Sequence, residues 1–124
     1  LGLLDVTTTP QATRSIGEVT AQPLLPGLAQ PLTGFENHRG GTVLGPAAQT
    51  LATVTRGDGN QAGSGHEGAV QGSVIATYLH GPLLARNPEL ADWLLARVVG
   101  PLAPLEVPGV AQLRRERLGA PRRG

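Results

Sequence analysis

His80 is the residue around which any acid–base chemistry in this chain would have to be built. It lies in the run VIATYLHGPLL (residues 74–84), and histidine is the side chain whose unperturbed pKa falls near neutrality, where protons move easily in both directions. Val74, Ile75, Thr77 and Tyr78 are β-branched or aromatic and predict a buried strand that stops at Gly81-Pro82. Binding and catalytic groups gather at the carboxyl ends of strands in open α/β sheets. Position and chemistry leave two readings level: a strand-end histidine bonded to backbone, and a general base. A base needs a nucleophile to act on. The sequence has no cysteine, and Ser64, in Gly63-Ser64-Gly65, has Ala62 and His66 where the G-x-S-x-G elbow requires glycine.

The other reactive residue types assemble less well. His38, His66 and His80 match no short metal-ligand spacing and the carboxylates are scattered, which argues against a metal site. The run GDGNQAGSGHEG (57–68) lacks the lysine of a phosphate loop, and Ala69 stands where an EF-hand starting at Asp58 needs glutamate. It reads as a mobile surface loop. Arg14, between Thr13 and Ser15, is either solvated or a bidentate clamp on a substrate carboxylate. Arg114, Arg115, Arg117, Arg122 and Arg123 make a basic end that reads as a solvated tail.

A small framework must carry these groups. The 124 residues suit one domain or part of one, able to bury about two-thirds of its unfolded surface. Eighteen glycines and eleven prolines favour short strands, turns and loops over long helices. Without cysteine there is no disulfide and no thiolate metal site. The lack of methionine and the start at Leu1 predict a fragment or processed piece. All ten basic residues are arginine, a bias of the source rather than a site. A net charge of +1 argues against a dedicated nucleic-acid binder. No apolar run approaches the ~20 residues that span a bilayer. LGLLDVTTTP lacks the basic start and apolar stretch of a signal peptide, so a cytoplasmic protein is expected.

Element by element, Thr7–Thr13 predicts a polar loop around Pro10, Ser15–Gln22 a strand and Pro23–Pro31 a loop. Within LTGFENHRGGTVLG (32–45), two strands are expected around a corner at Arg39-Gly40-Gly41, and Leu51–Thr55 reads as another short strand. One helix is clear, Asn87 to Val99, with Asn87 as N-cap, Pro88 at the first helical position, and Glu89 and Asp92 near its positive end. Leu90, Trp93, Leu94 and Val98 recur at helical spacing and should pack on the sheet. Val110–Leu118 predicts a short basic helix before a frayed end.

GFENHRGGTVLG, GDGN, HEG and TYLHGPLLARNPELADWLL, with LGLLDVTTT and TRSIGEV near the start, together carry a resemblance. The chain resembles the cobyric-acid-synthase-like branch of class I glutamine amidotransferases over residues 1 to about 99, and within it most closely the glutaminase subunits of lipid II isoglutaminyl synthases. The resemblance implies an α/β fold. Residues 1–100 would be the C-terminal half of a flavodoxin-like class I glutamine amidotransferase domain, with a mixed sheet and one clear flanking helix, and residues 101–124 a Pro/Arg-rich tail.

It also implies a chemistry. A cysteine on a nucleophile elbow attacks the side-chain amide of glutamine, a histidine is the base, backbone amides hold the oxyanion, and ammonia leaves. By position His80 is then the base and Arg14 a substrate-binding residue near the entrance, while Glu36 and Glu67 match family glutamates and receive no catalytic role. Many class I relatives orient the base with a glutamate two places on. Here that place is Pro82, which leaves the orienting group unidentified. The cysteine is expected upstream of LGLLD, so this chain alone should be inactive and poorly folded. The implied partner is a Mur-ligase-like subunit that uses ATP and Mg²⁺ to activate D-glutamate in lipid II. The glutaminase subunit itself is expected to need no cofactor. A cobyric acid synthase domain and a non-catalytic interaction module of the same fold are the alternatives.

Overall fold

Two long strands pair along most of their length and set the frame for everything else. The structure, a computed structural model, describes residues 2–119; Arg122 and Arg123 of the basic end lie outside the described residues. Strand β1 (Val6–Pro23) runs antiparallel to β2 (Leu32–Leu44), from Val6 opposite Leu44 to Ala21 opposite Leu32. β3 (Ala52–Arg56) pairs with the Thr20–Pro23 end of β1, and β4 (His66–Glu67) pairs with β3, giving the order β2-β1-β3-β4. A separate hairpin, β5 (Ala69–Gln71) with β6 (Val74–Ala76), follows; single bridges join Gln49 to Val70 and Phe35 to His80. The helices α1 (Leu83–Arg86), α2 (Pro88–Val99) and α3 (Val110–Gly119) close the described chain. The α/β class is as expected, and every strand pairing among the described residues is antiparallel.

Several stretches differ from the expectation, each for a local reason. Thr7–Thr13 is strand, not loop, because its β-branched threonines suit an extended backbone. Pro10 sits where the register slips: Pro10 faces Gly40 but Ser15 faces His38, so residues 11–14 bulge opposite Arg39. Arg39 ties the bulge down, donating Nε to the Gln11 carbonyl (3.0 Å) and Nη2 to that of Ala12 (3.1 Å). Arg39-Gly40-Gly41 is therefore no corner, and β2 passes through it unbroken. The two glycines make room instead. A Cβ on Gly40 would lie 3.0 Å from both Thr8 Cγ2 and the Tyr78 hydroxyl, and one on Gly41 would lie 2.9 Å from Gln11 Cγ. The strand predicted up to Gly81-Pro82 is short, Val74–Ala76, and half-buried. Beyond it the chain takes its hydrogen bonds from side chains.

The core gathers Val19, Leu32, Leu51, Leu79 and Leu90, with Trp93 and Leu94 packed against it. Helix α2 starts at Pro88 as predicted, but Val98 is 84% exposed rather than packed. Much of the helix's polar contact is with the 23–31 loop: Trp93 Nε1 donates to the Pro26 carbonyl (3.0 Å), and Glu89 accepts the Ala29 and Gln30 N–H groups (3.0 and 2.7 Å). Arg97 covers the Trp93 ring, leaving Val98 in the last turn without cover.

Asn87 occupies the N-cap position of α2 as expected, but its side chain makes no capping bond because its amide is used elsewhere. Oδ1 accepts the Thr33 N–H (2.8 Å) while Nδ2 donates to the carbonyls of Thr33 and Leu83 (2.8 Å each). The side chain thus stands in for a neighbouring strand at Thr33. Arg114 on α3 binds the same point, donating Nη1 to the Arg86 carbonyl (2.5 Å) and Asn87 Oδ1 (3.0 Å), and Nη2 to the Pro31 carbonyl (2.7 Å). Arg117 lies 3.7 Å from Glu18, and its carbonyl accepts from Arg56. These two arginines anchor α3 and are not a solvated tail. Asn87→Ala would leave the buried Thr33 N–H and carbonyl unpaired, at a cost of at least about 2 kcal/mol. In the full-length protein this should lower the urea midpoint with little change in slope.

Candidate functional site

β2 holds His80 from one side: His80 donates its N–H to the Phe35 carbonyl (2.6 Å) and accepts the Phe35 N–H (3.4 Å). The imidazole is exposed, and its Nδ1 bonds to the carbonyl of Tyr78. A carbonyl can only accept, so Nδ1 carries the hydrogen and Nε2 keeps its lone pair. That tautomer can take a proton at Nε2. The backbone-bonded reading of His80 is thus what the structure shows, and the bond is compatible with base chemistry at Nε2.

Tyr78 is itself held on several sides. Its N–H is accepted by Glu67 Oε1 (2.9 Å), which also accepts the Thr77 hydroxyl. Its ring stacks on His38 with centroids 3.9 Å apart, and the His80 ring lies parallel to that of His38 at 6.5 Å. Its hydroxyl bonds to Thr42 Oγ1 (2.7 Å), which bonds on to Thr8 Oγ1 (2.8 Å). Glu67 is 0% exposed, and its Oε2 has no hydrogen-bond partner. Burial holds its carboxyl above the ordinary 4.5, against the lowering effect of the Thr77 and Tyr78 hydrogen bonds; Glu36 adds to the rise and His38 opposes it.

The glycine-rich run is tied down at both ends. Buried Glu36 accepts the N–H groups of Asp58 and Gly59 (2.9 Å each), so the amides with which such a loop would cradle a phosphate are taken by the chain's own carboxylate. Asn60 brackets Gly68, donating Nδ2 to its carbonyl (2.9 Å) and accepting its N–H (2.6 Å). Among the described residues no three His, Cys, Asp or Glu side chains converge as metal ligands.

Arg14 sits in the β1 bulge, exposed, with Nε donating to Asn37 Oδ1 (2.7 Å). By strand alternation Asn37 points to the face opposite Glu36 and His38. No hydrogen bond joins Arg14 to His80; roughly 13 Å of strand separates Arg14 from Glu18, which faces Phe35 and so the His80 bridge. A broad cleft lined by Glu18, Phe35, Glu36, Arg56 and Asp58 opens beside that bridge. Sequence reasoning missed the contacts among Glu67, Thr77 and Tyr78, most of which involve a backbone atom that no residue pattern marks.

The class of protein to which this fold and site belong is given by sequence matches. Residues 1–88 match the CobB/CobQ-like glutamine amidotransferase domain, and the chain belongs to that family. Over 118 residues it is 34% identical to the lipid II isoglutaminyl synthase (glutamine-hydrolyzing) subunit GatD of Staphylococcus aureus strain N315, covering 92% of this chain and 46% of that one. The GatD subunit of Streptococcus pneumoniae strain R6 is 43% identical over 58 residues, 47% of this chain and 22% of the relative. A cobyric acid synthase of Sphingopyxis alaskensis is 38% identical over 100 residues, 79% of this chain and 18% of the relative. The chain thus spans less than half the length of each of these relatives. No helix among the described residues is long and apolar enough to cross a membrane.

Glu67 gives a pH signature that can be measured. Its folded pKa is raised, so the stability tied to its protonated form is full below the unfolded value of about 4.5 and is lost as pH rises through the folded value. Glu67→Gln cannot ionise. Relative to the wild type it should therefore gain stability as pH rises from about 4 to about 8. Urea unfolding of both full-length proteins across that range checks this, and a difference independent of pH would refute it.

Proposed function

We propose that the chain is part of a glutaminase that hydrolyses glutamine and passes the ammonia to a Mur-ligase-like partner in the cytoplasm. The partner uses ATP and Mg²⁺ to activate the D-glutamate of lipid II, and ammonia converts it to D-isoglutamine. This subunit's own chemistry calls for no cofactor. The observation that carries the reading is the bond from His80 Nδ1 to the Tyr78 carbonyl, which leaves Nε2 to accept a proton at an exposed position.

The nucleophile is a cysteine thiol outside these 124 residues, which contain none. His80 Nε2 takes the thiol proton, and the thiolate attacks the side-chain amide carbon of glutamine. As the C–N bond breaks, the imidazolium returns that proton to the departing nitrogen, giving ammonia and a thioester. Water, deprotonated by the same ring, then cleaves the thioester to glutamate and thiol. Arg14 binds a substrate carboxylate through its guanidinium fork, with Asn37 steering the group through Nε.

The nearest alternative is the amidotransferase domain of a cobyric acid synthase, which the Sphingopyxis match supports. The cell-wall reading is favoured because the Staphylococcus match extends over more of this chain, 92% against 79%.

In the full-length protein His80→Ala should lower glutamine-dependent amidation by about 100- to 10,000-fold and largely spare amidation driven by added ammonium. Full glutamine-dependent activity in that variant would remove His80 from the mechanism. The 124-residue chain by itself should release no ammonia from glutamine. Ammonia release by the purified chain would place the nucleophile within it.

A further inference from the structure

We infer that Glu67 is a positioning residue for His80, setting through the backbone the carbonyl that selects the ring's tautomer. The inference rests on the glutaminase reading above and adds to it the orienting group that Pro82 cannot supply.

The connection can be followed atom by atom. Glu67 Oε1 accepts the Tyr78 N–H (2.9 Å) and the Thr77 hydroxyl. The Thr77 oxygen in turn accepts the Leu79 N–H (3.0 Å). Leu79 N–H and the Tyr78 carbonyl belong to one planar trans peptide, so fixing the first points the second the opposite way. There it meets His80 Nδ1. One carboxyl oxygen thereby fixes both peptide planes that flank Tyr78.

Nothing else in the secondary structure would do this. Thr77–Leu79 belongs to no strand or helix, so its amides depend on side chains for partners. Glu67 is also costly where it sits, fully buried with Oε2 unpartnered. A residue that only filled space there would be better apolar. A polar group kept at such a cost, with its one satisfied oxygen committed to the two residues before Leu79, fits a positioning role.

The test uses the full-length protein labelled with ¹⁵N-histidine, with Glu67→Ala, Glu67→Gln and Thr77→Val. In the wild type His80 should show a protonated Nδ1 and an unprotonated Nε2. Glu67→Ala should move the ring toward the Nε2-protonated tautomer and lower kcat for ammonia release by about 100-fold, with KM for glutamine little changed. Glu67→Gln, whose amide oxygen can accept both bonds, should keep the wild-type tautomer and restore most of the rate. Thr77→Val keeps the side-chain shape but removes the relay to Leu79, so it should shift the tautomer even if Glu67→Ala does not fold. A wild-type tautomer in Glu67→Ala, or in Thr77→Val where Glu67→Ala does not fold, would overturn the inference. If that result came with loss of glutaminase activity in His80→Ala, the function would stand and only the role of Glu67 would fall. A shifted tautomer with full activity in His80→Ala would do the reverse.

Discussion

A carboxylate withdrawn from water must be given hydrogen-bond donors, and this chain meets that demand twice with backbone amides rather than arginine. Glu36 takes Asp58 and Gly59 N–H; Glu67 takes Tyr78 N–H with the Thr77 hydroxyl. Each choice organises the segment that supplies the donors. The glycine-rich run is drawn in against β2, and the stretch before His80 leaves the regular hairpin to reach Glu67. The register of β2 sets this up, because alternation puts Glu36 and His38 on the same inward face. The arginines are engaged elsewhere. Arg86 pairs with Glu18 at 2.5 Å and also donates to the Thr33 hydroxyl (2.6 Å), joining α1 to the sheet.

What could be read in the sequence, and what could not, follows from this arrangement. Helix α2 was legible because Pro88 and Gly100 mark its ends and the Leu90-Trp93-Leu94 spacing marks its packed face. His80 stood out because a histidine near the end of an apolar run has few companions. The family was legible because whole motifs, not single residues, carried it. Other signals were ambiguous by nature. Gly40-Gly41 is compatible with a corner or with the close approach of another chain segment, and only the position of Tyr78 and Gln11 decides. Asn87 has the preference of an N-cap, yet its partner Thr33 lies 54 residues away. Composition identified 57–68 as a loop but not as the recipient of Glu36, 22 residues upstream of Asp58. The group that orients His80 is a main-chain carbonyl. Every residue has one, so no motif can announce it.

A carbonyl in that position gives the His80 ring a different electrostatic partner from a carboxylate. A carboxylate beside an imidazole both orients it and stabilises its charged form. A carbonyl orients it with a dipole and no net charge. In the glutaminase reading proposed above, the bond that sets the tautomer leaves Nε2 to take and return a proton. Glu67 reaches this bond only through the peptides that flank Tyr78. On that reading, the acid–base group is separated from the carboxyl proposed to position it.

The Asn87 amide joins β2, α1 and α3 at one point, so its chemical durability matters as much as its geometry. Asparagine side chains age chiefly by attack of the following backbone nitrogen on the amide carbon, which closes a succinimide and yields aspartate. The next residue here is Pro88, whose nitrogen carries no hydrogen to lose. That route is closed. An aspartate at 87 would face the Thr33 and Leu83 carbonyls with lone pairs instead of N–H groups, so the proline that begins α2 also protects the joint beside it from slow chemical decay.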